Sequence, residues 1–258
     1  GASQHGGRAV FDLEDWYTGM GETGVSAFPW QRQLNEVEEK YIPACDCLLA
    51  ASEGIAAVYR KKYDLPVHTL LNTFPADWAA DEAAENSRGP LQLFWFSQTI
   101  GAGRGLEDVV AAMARMKPGS IELHLLGDWQ PGYQTTLFGH AKTHGLDTSV
   151  LHAYPPCYPE DIPRFAEQFD VGLALEPGVS WNNSVALSNK IFTYFLAGNA
   201  IVATATPGQQ QFLEPLPQTG FVYKPGDIET LQQGLQKLGT DRQYLMQLRR
   251  QSLELGRT

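Results

Sequence analysis

The chain has 258 residues, 43% of them hydrophobic, and a formal net charge of −10. The apolar content suffices for a substantial core, while the acidic balance excludes a nucleic-acid groove or a polybasic membrane patch, both of which need clustered Lys and Arg. No stretch approaches the ~20 apolar residues needed to span a bilayer and no signal-peptide pattern opens the chain, so a cytoplasmic protein is expected.

Cys45, Cys47 and Cys157 make an odd count, read as free thiols in a reduced compartment and not as disulfides or a metal site. The polar start Gly1 to Gly7 reads as flexible, with the native start expected upstream. Arg8 to Leu13 predicts a short strand whose end carries Asp12, Glu14 and Asp15 into the stretch Thr18 to Gly24. A helix follows over Pro29 to Tyr41, then a strand at Cys47 to Ala51, a Ser52-capped helix to Tyr63 and a strand at Val67 to Leu71, a βαβ succession.

Residues 76–90 are acidic, Ala-rich and broken by Gly and Pro, and predict a linker between a partial α/β domain at 1–75 and a larger one at 91–240. In the larger domain strands are expected at Leu91 to Phe96, Ile121 to Leu126, Val150 to Leu151, Val171 to Leu175, Ala200 to Ala203 and Gly220 to Tyr223. Helices are expected between them at Gly105 to Met116, Tyr133 to His144, Pro159 to Phe169, Ser188 to Ala197 and Gly208 to Glu214, with another over Ile228 to Leu238. A last helix occupies 241–258. Alternation this regular means an α/β fold with a doubly wound, Rossmann-like parallel sheet.

Ligands of such sheets sit in the loops at the carboxyl ends of the strands. Four loops are selected: Ser97 to Arg104, Gly127 to Gly132, Ala153 to Pro159, and Glu176 to Ser188. The first is glycine-rich, lets backbone amides approach a phosphate and offers Arg104 to neutralise it, with Ser97 and Gln98 beside it. It carries neither the dinucleotide fingerprint nor a Walker lysine, which argues against a nicotinamide enzyme. Asn182 and Asn183 supply donors and acceptors suited to sugar hydroxyls. Ser188 is expected to cap the next helix, whose dipole and Lys190 favour an anion. Tyr154, with the aromatics of its Pro-rich loop, could flank a planar base. His124, His140, His144 and His152 are scattered along elements without a catalytic or metal-binding spacing, and none is given a role.

The run Ser188-Asn189-Lys190-Ile191-Phe192-Thr193-Tyr194-Phe195-Leu196-Ala197-Gly198 resembles the nucleotide-sugar motif of the bacterial GT-B, glycosyl-transferase-group-1-like enzymes. Phe94 to Leu106, Leu123 to Gly127, Pro163 to Leu175 and Cys45 to Ile55 follow the same family's pattern in order. The resemblance implies a GT-B C-terminal domain joined to the end of an N-terminal, acceptor-side domain. It implies retaining transfer of a sugar from a nucleoside diphosphate donor to a glycan or lipid-linked acceptor in surface polysaccharide synthesis, with no metal required. Arg104 would contact the diphosphate, the Ser188-Asn189 helix start the sugar-phosphate region, and Tyr154 the border of the base, with Arg104 and Lys190 as the catalytic electrostatic pair that stabilises charge on the departing diphosphate.

The sequence departs from the family in three ways. The family's Glu-x7-Glu pair falls at Val185 and Thr193, so Thr193 offers the ribose a hydroxyl in place of a carboxylate. The arginine usual after the first strand of the donor domain falls near Ser97 or Gln98. Only about the last third of the N-terminal domain is covered, which is expected of a fragment and leaves room for peripheral membrane association through the uncovered part. The 241–258 helix looks like the beginning of the one that crosses back to that domain. The competing reading is a non-catalytic nucleotide-sugar-binding or partner module derived from this fold.

Overall fold

The computed structural model describes residues 7–21, 29–84 and 89–258. The polar start, the second half of the Thr18 to Gly24 stretch and part of the 76–90 linker lie outside the described residues. In chain order the first elements are β1 (Val10–Leu13), α1 (Pro29–Tyr41), β2 (Cys47–Ala50), α2 (Glu53–Lys62), β3 (Val67–Thr69), β4 (Leu91–Ile100), α3 (Leu106–Met113), β5 (Ile121–Trp129) and α4 (Tyr133–Thr143). They are followed by β6 (Leu151–Tyr154), α5 (Ile162–Ala166), β7 (Val171–Ala174), α6 (Trp181–Val185), α7 (Lys190–Ala197), β8 (Ala200–Thr204), α8 (Pro207–Leu213), β9 (Gly220–Tyr223), α9 (Ile228–Thr240) and α10 (Arg242–Gly256). None of the described helices is long and apolar enough to cross a membrane.

The chain divides into two compact units. The first comprises Gly1–Asn72 with Gly178–Leu187 and Thr206–Phe212; the second comprises Thr73–Pro177, Ser188–Ala205 and Leu213–Thr258.

The first unit is built on a parallel sheet in the order β1-β2-β3. Leu13, Leu48, Ala50 and Val67 of the sheet pack with Ile55, Ala56 and Tyr59 of α2. Ser52 caps α2 as expected: its backbone is extended and its Oγ accepts from Ile55 N at 3.1 Å while donating to Val185 O at 2.8 Å. Buried Glu38 of α1 accepts from Tyr59 Oη at 2.6 Å and from Lys62 Nζ at 3.0 Å, which ties the two helices together. The three cysteines are free thiols.

The second unit holds a six-stranded, wholly parallel sheet in the order β6-β5-β4-β7-β8-β9. Counted within the unit, this is the doubly wound 3-2-1-4-5-6 order, grown outward from β4 in both directions. The central strands are apolar on both faces, as strands covered by helices on each side must be.

Two strands run further than their apolar cores suggest. β4 continues through a register shift between Phe96 and Thr99 to pair Ile100 with Trp129, so Ser97 and Gln98 belong to a strand and not to the loop. For the same reason Gly127, Asp128 and Trp129 extend β5 and shorten the second of the four loops. The Pro159 to Phe169 helix is a single 3-10 turn followed by the short α5.

Helix α10 packs on α7 and β8 of the same unit. Its Arg249 is fully buried, donating to Gly198 O at 2.9 Å, Ala84 O at 2.7 Å, Glu167 O at 3.0 Å and Asp170 Oδ1 at 3.2 Å. Asp170 Oδ2 in turn accepts from Gln92 N at 2.9 Å, so one ion pair joins α10, the start of β7, β4 and the end of α7.

Candidate functional site

In the second unit the winding direction changes between β4 and β7. Connections leaving the carboxyl ends of these two strands diverge, and the crevice so opened is where doubly wound sheets take ligands. β4 supplies Gly101-Ala102-Gly103-Arg104-Gly105, β7 supplies Leu175 and Glu176, and α7 enters with Lys190 on its first turn.

The local chain is shaped for close approach. Gly105 has φ +74°, and a Cβ there would stand 3.2 Å from Leu175 Cβ, so the turn into α3 needs glycine for both conformation and space. The same loop is stitched to the segment after β5 by Gln130, whose N donates to Ile100 O at 2.9 Å and whose Oε1 accepts from Ala102 N at 3.3 Å. Glu176 is held by Thr204 at the end of β8, whose Oγ1 is 2.8 Å from both its N and its O.

Helix α7 is seated by Tyr194, whose buried hydroxyl lies 3.0 Å from Leu173 O and 3.4 Å from Phe94 O. Gly172 makes room for that ring, since a Cβ there would meet it at 2.2 Å. Tyr194 and Lys190 are four residues apart and share a helix face, so the packing that fixes the ring aims the lysine.

Lys190 Nζ lies 5.7 Å from the Trp95 ring centroid and 5.8 Å from that of Phe96. Burial pulls its ammonium below the usual lysine pKa; the Glu176 carboxylate pushes back, and the Arg104 guanidinium adds to the fall. Two cations and one carboxylate thus bear on this position, in a chain of net charge −10. Such an arrangement is short of negative charge, and a phosphate group supplies it.

The structure brings Arg104 and Lys190 of the expected residues together, with Asn189 exposed beside them and Thr193 buried on α7. Ser188 does not cap the helix. The cap position falls to Asn189, whose backbone is already helical and whose side chain makes no capping bond, while Ser188 is buried and its carbonyl accepts from Ile191 N at 3.1 Å. Glu176 is the member that sequence reasoning passed over, having been read only as the start of a loop.

Tyr154 sits elsewhere, at the end of β6. Its Oη is 3.1 Å from His124 Nδ1 and its ring is edge-on to Phe165. The strongly exposed aromatic of that loop is Tyr158, at 74%.

His124 and His152, assigned no role from the sequence, face each other across β5 and β6 beside Glu122. Burial, with a smaller contribution from His152, lowers His124 to about 4, which keeps its imidazole neutral at pH 7.

Asn182 and Asn183 belong to the first unit. Asn182 is buried on α6 and both ends of its amide are in use: Oδ1 accepts from Trp16 N at 2.8 Å and Nδ2 donates to Asp15 Oδ1 at 2.8 Å. Asn183 N donates to Ser180 Oγ at 3.0 Å, the capping bond of α6. The sugar-hydroxyl role expected of Asn182 is therefore replaced by one of holding the segment after β1, because what reads as an open loop folds into a short capped helix.

No family model matches the chain, and no curated protein matches it in sequence. Solved structures do. HepE of Anabaena, determined with UDP and glucose, is 16% identical with a TM-score of 0.73, over 99% of this chain and 68% of that one. Sucrose-phosphate synthase of Thermosynechococcus elongatus is 17% identical, TM-score 0.70, over 90% and 59%. A point mutant of TarM from S. aureus, in complex with fondaparinux, α-GlcNAc-glycerol and UDP, is 10% identical, TM-score 0.69, over 96% and 47%. The fold is the GT-B fold of these glycosyltransferases. The chain spans about half the length of TarM.

Proposed function

We propose that this chain carries the donor-binding part of a glycosyltransferase that takes a sugar from a nucleoside diphosphate sugar, UDP-linked by analogy with HepE and TarM, and passes it to a glycan or lipid-linked acceptor in surface polysaccharide synthesis. The observation that carries the reading is the place of Lys190, on the first turn of α7 and beside the Trp95 and Phe96 rings of β4, at the winding switch of the six-stranded sheet.

In this reading the diphosphate lies against Lys190 and the 101–105 loop. As the glycosidic bond to the donor breaks, negative charge grows on the departing phosphate, and a half-buried ammonium meets it with little solvent to reorganise. Arg104, exposed on its loop, adds long-range attraction. Glu176 offsets part of the fall that burial imposes on the Lys190 pKa. The reading includes retention of configuration, with no metal at the donor site.

The buried Thr193 and the fully engaged Asn182 favour a second reading, a nucleotide-sugar-binding module without transfer. Calorimetric titration with UDP and with UDP-sugars, followed by an assay of donor hydrolysis and transfer, tests both. Binding with turnover supports the enzyme, binding without turnover supports the module, and no binding of any nucleotide removes both.

A further inference from the structure

The face of the sheet at β5 and β6 carries a second group of chemistry-bearing side chains. Strand register sets Gln92 opposite Glu122 and His124 opposite His152, so alternate residues of three adjacent strands project from one face. Glu122 Oε2 is 3.3 Å from His152 Nε2 and 3.7 Å from His124 Nε2, and one ligand atom from each residue lies within 4.8 Å of the others. A tetrahedral zinc ion with bonds of about 2.0–2.2 Å needs ligand atoms about 3.3–3.6 Å apart; the carboxylate stands at that spacing from His152, at 3.3 Å, and slightly beyond it from His124, at 3.7 Å.

Gln92 Nε2 donates to Glu122 Oε2 at 3.3 Å, and one nitrogen of the group is left over. The two imidazoles are stacked, 4.5 Å between centroids at 14°, so they cannot bond to each other. His152 Nε2 is shielded from solvent and makes no hydrogen bond, despite the carboxylate oxygen beside it. His124 has its ring against Phe169 at 4.5 Å and its Nδ1 3.1 Å from Tyr154 Oη, while its Nε2 donates to Gln92 Oε1, a bond that a bound ion would replace. The side chains of Glu122 and His152 are 31% and 36% exposed, so the cluster lies at the border of the protein surface.

We propose that Glu122, His124 and His152 form a binding site for a zinc-class divalent cation on the β5–β6 face. Two imidazoles and one carboxylate suit zinc or its first-row neighbours; calcium and magnesium prefer all-oxygen sets. The ion would join the edge strand β6 to β5 and satisfy the orphaned His152 nitrogen.

The test is titration of the chelator-treated chain with Co2+, followed by visible absorption, and with Zn2+, followed by calorimetry. The expected result is one equivalent bound, with Co2+ bands of a low-coordinate site that Zn2+ displaces. His152→Ala and Glu122→Gln, both at partly exposed positions, should each weaken binding by more than about 100-fold, because losing even an outer partner of a metal ligand costs 10–100-fold. Circular dichroism would establish that these variants fold. The double variant His140→Ala/His144→Ala removes the other close histidine pair, on α4, and should bind as the parent does. Absence of stoichiometric binding to the parent chain overturns the proposal, as does binding that survives both His152→Ala and Glu122→Gln or disappears with the α4 pair.

Discussion

The second unit carries two polar sites on one sheet, and they are built in opposite ways. At the carboxyl ends of β4 and β7 the charged groups stand on loops and a helix start, and opposite charges are left unbalanced toward an anion. On the β5–β6 face the groups stand on strands and are fixed by register, with one carboxylate and two imidazoles side by side. A site on a winding switch is announced by topology. One on a sheet face is announced only by which residues the register places side by side.

The comparison breaks most severely where the two regions share a foundation. Arg249→Ala removes one of two arginine partners of buried Asp170, the other being Arg242, and leaves three carbonyl bonds unmade at the junction of β4, β7 and α7, and should cost about 3 kcal/mol. Urea unfolding would register this as a lower midpoint. Gly172→Ala is more selective: the new Cβ meets the Tyr194 ring, and the overpacking should cost about 1–3 kcal/mol and misdirect Lys190 while sparing the β5–β6 face. Reduced UDP affinity beside unchanged Co2+ binding is the expected pair of results.

Arg104→Ala should act more weakly, lowering UDP affinity several-fold, since an exposed charge contributes about 0.2–1 kcal/mol, and the difference should vanish at high salt. The smallest effect is a pH dependence. Lys190 titrates below its usual range, so UDP affinity should fall as pH rises through that lowered value, and Lys190→Gln should flatten the curve. The stability sign is separate: an unfolded Lys190 holds its proton to higher pH than the folded one, so folding stability should rise across the interval between the two pKa values.

Much of the fold is legible because each unit repeats one local rule. Helix starts such as Ser52 and the apolar runs at 171–175 and 200–203 state their structure directly. Where legibility failed, a tertiary fact decided. Ser97, Gln98 and Thr99 look like a loop by composition, yet a bulge lets β4 continue and recover pairing with β5. α6 spans five residues, too few to show a helical period, and its Ser180 cap was the one local sign. At the switch, Lys190 and Arg104 could be named from dipole and loop arguments, but Glu176 acquires meaning only once β7 is placed beside β4. The histidine cluster was hidden by about thirty residues of separation between its members. Alternation of Glu122 with His124 on one strand and of His152 with Tyr154 on the next was the signal available, and it becomes informative only when those strands are taken as neighbours.

The most direct measurement of the donor-site reading is calorimetric titration of the chain and of its Lys190→Ala variant with UDP. Stoichiometric binding by the parent, weakened about 10–100-fold in the variant, is the expected result, since a charge-assisted hydrogen bond contributes about 1.5–3 kcal/mol. Binding of equal strength in both, or none in a folded parent chain, would contradict it.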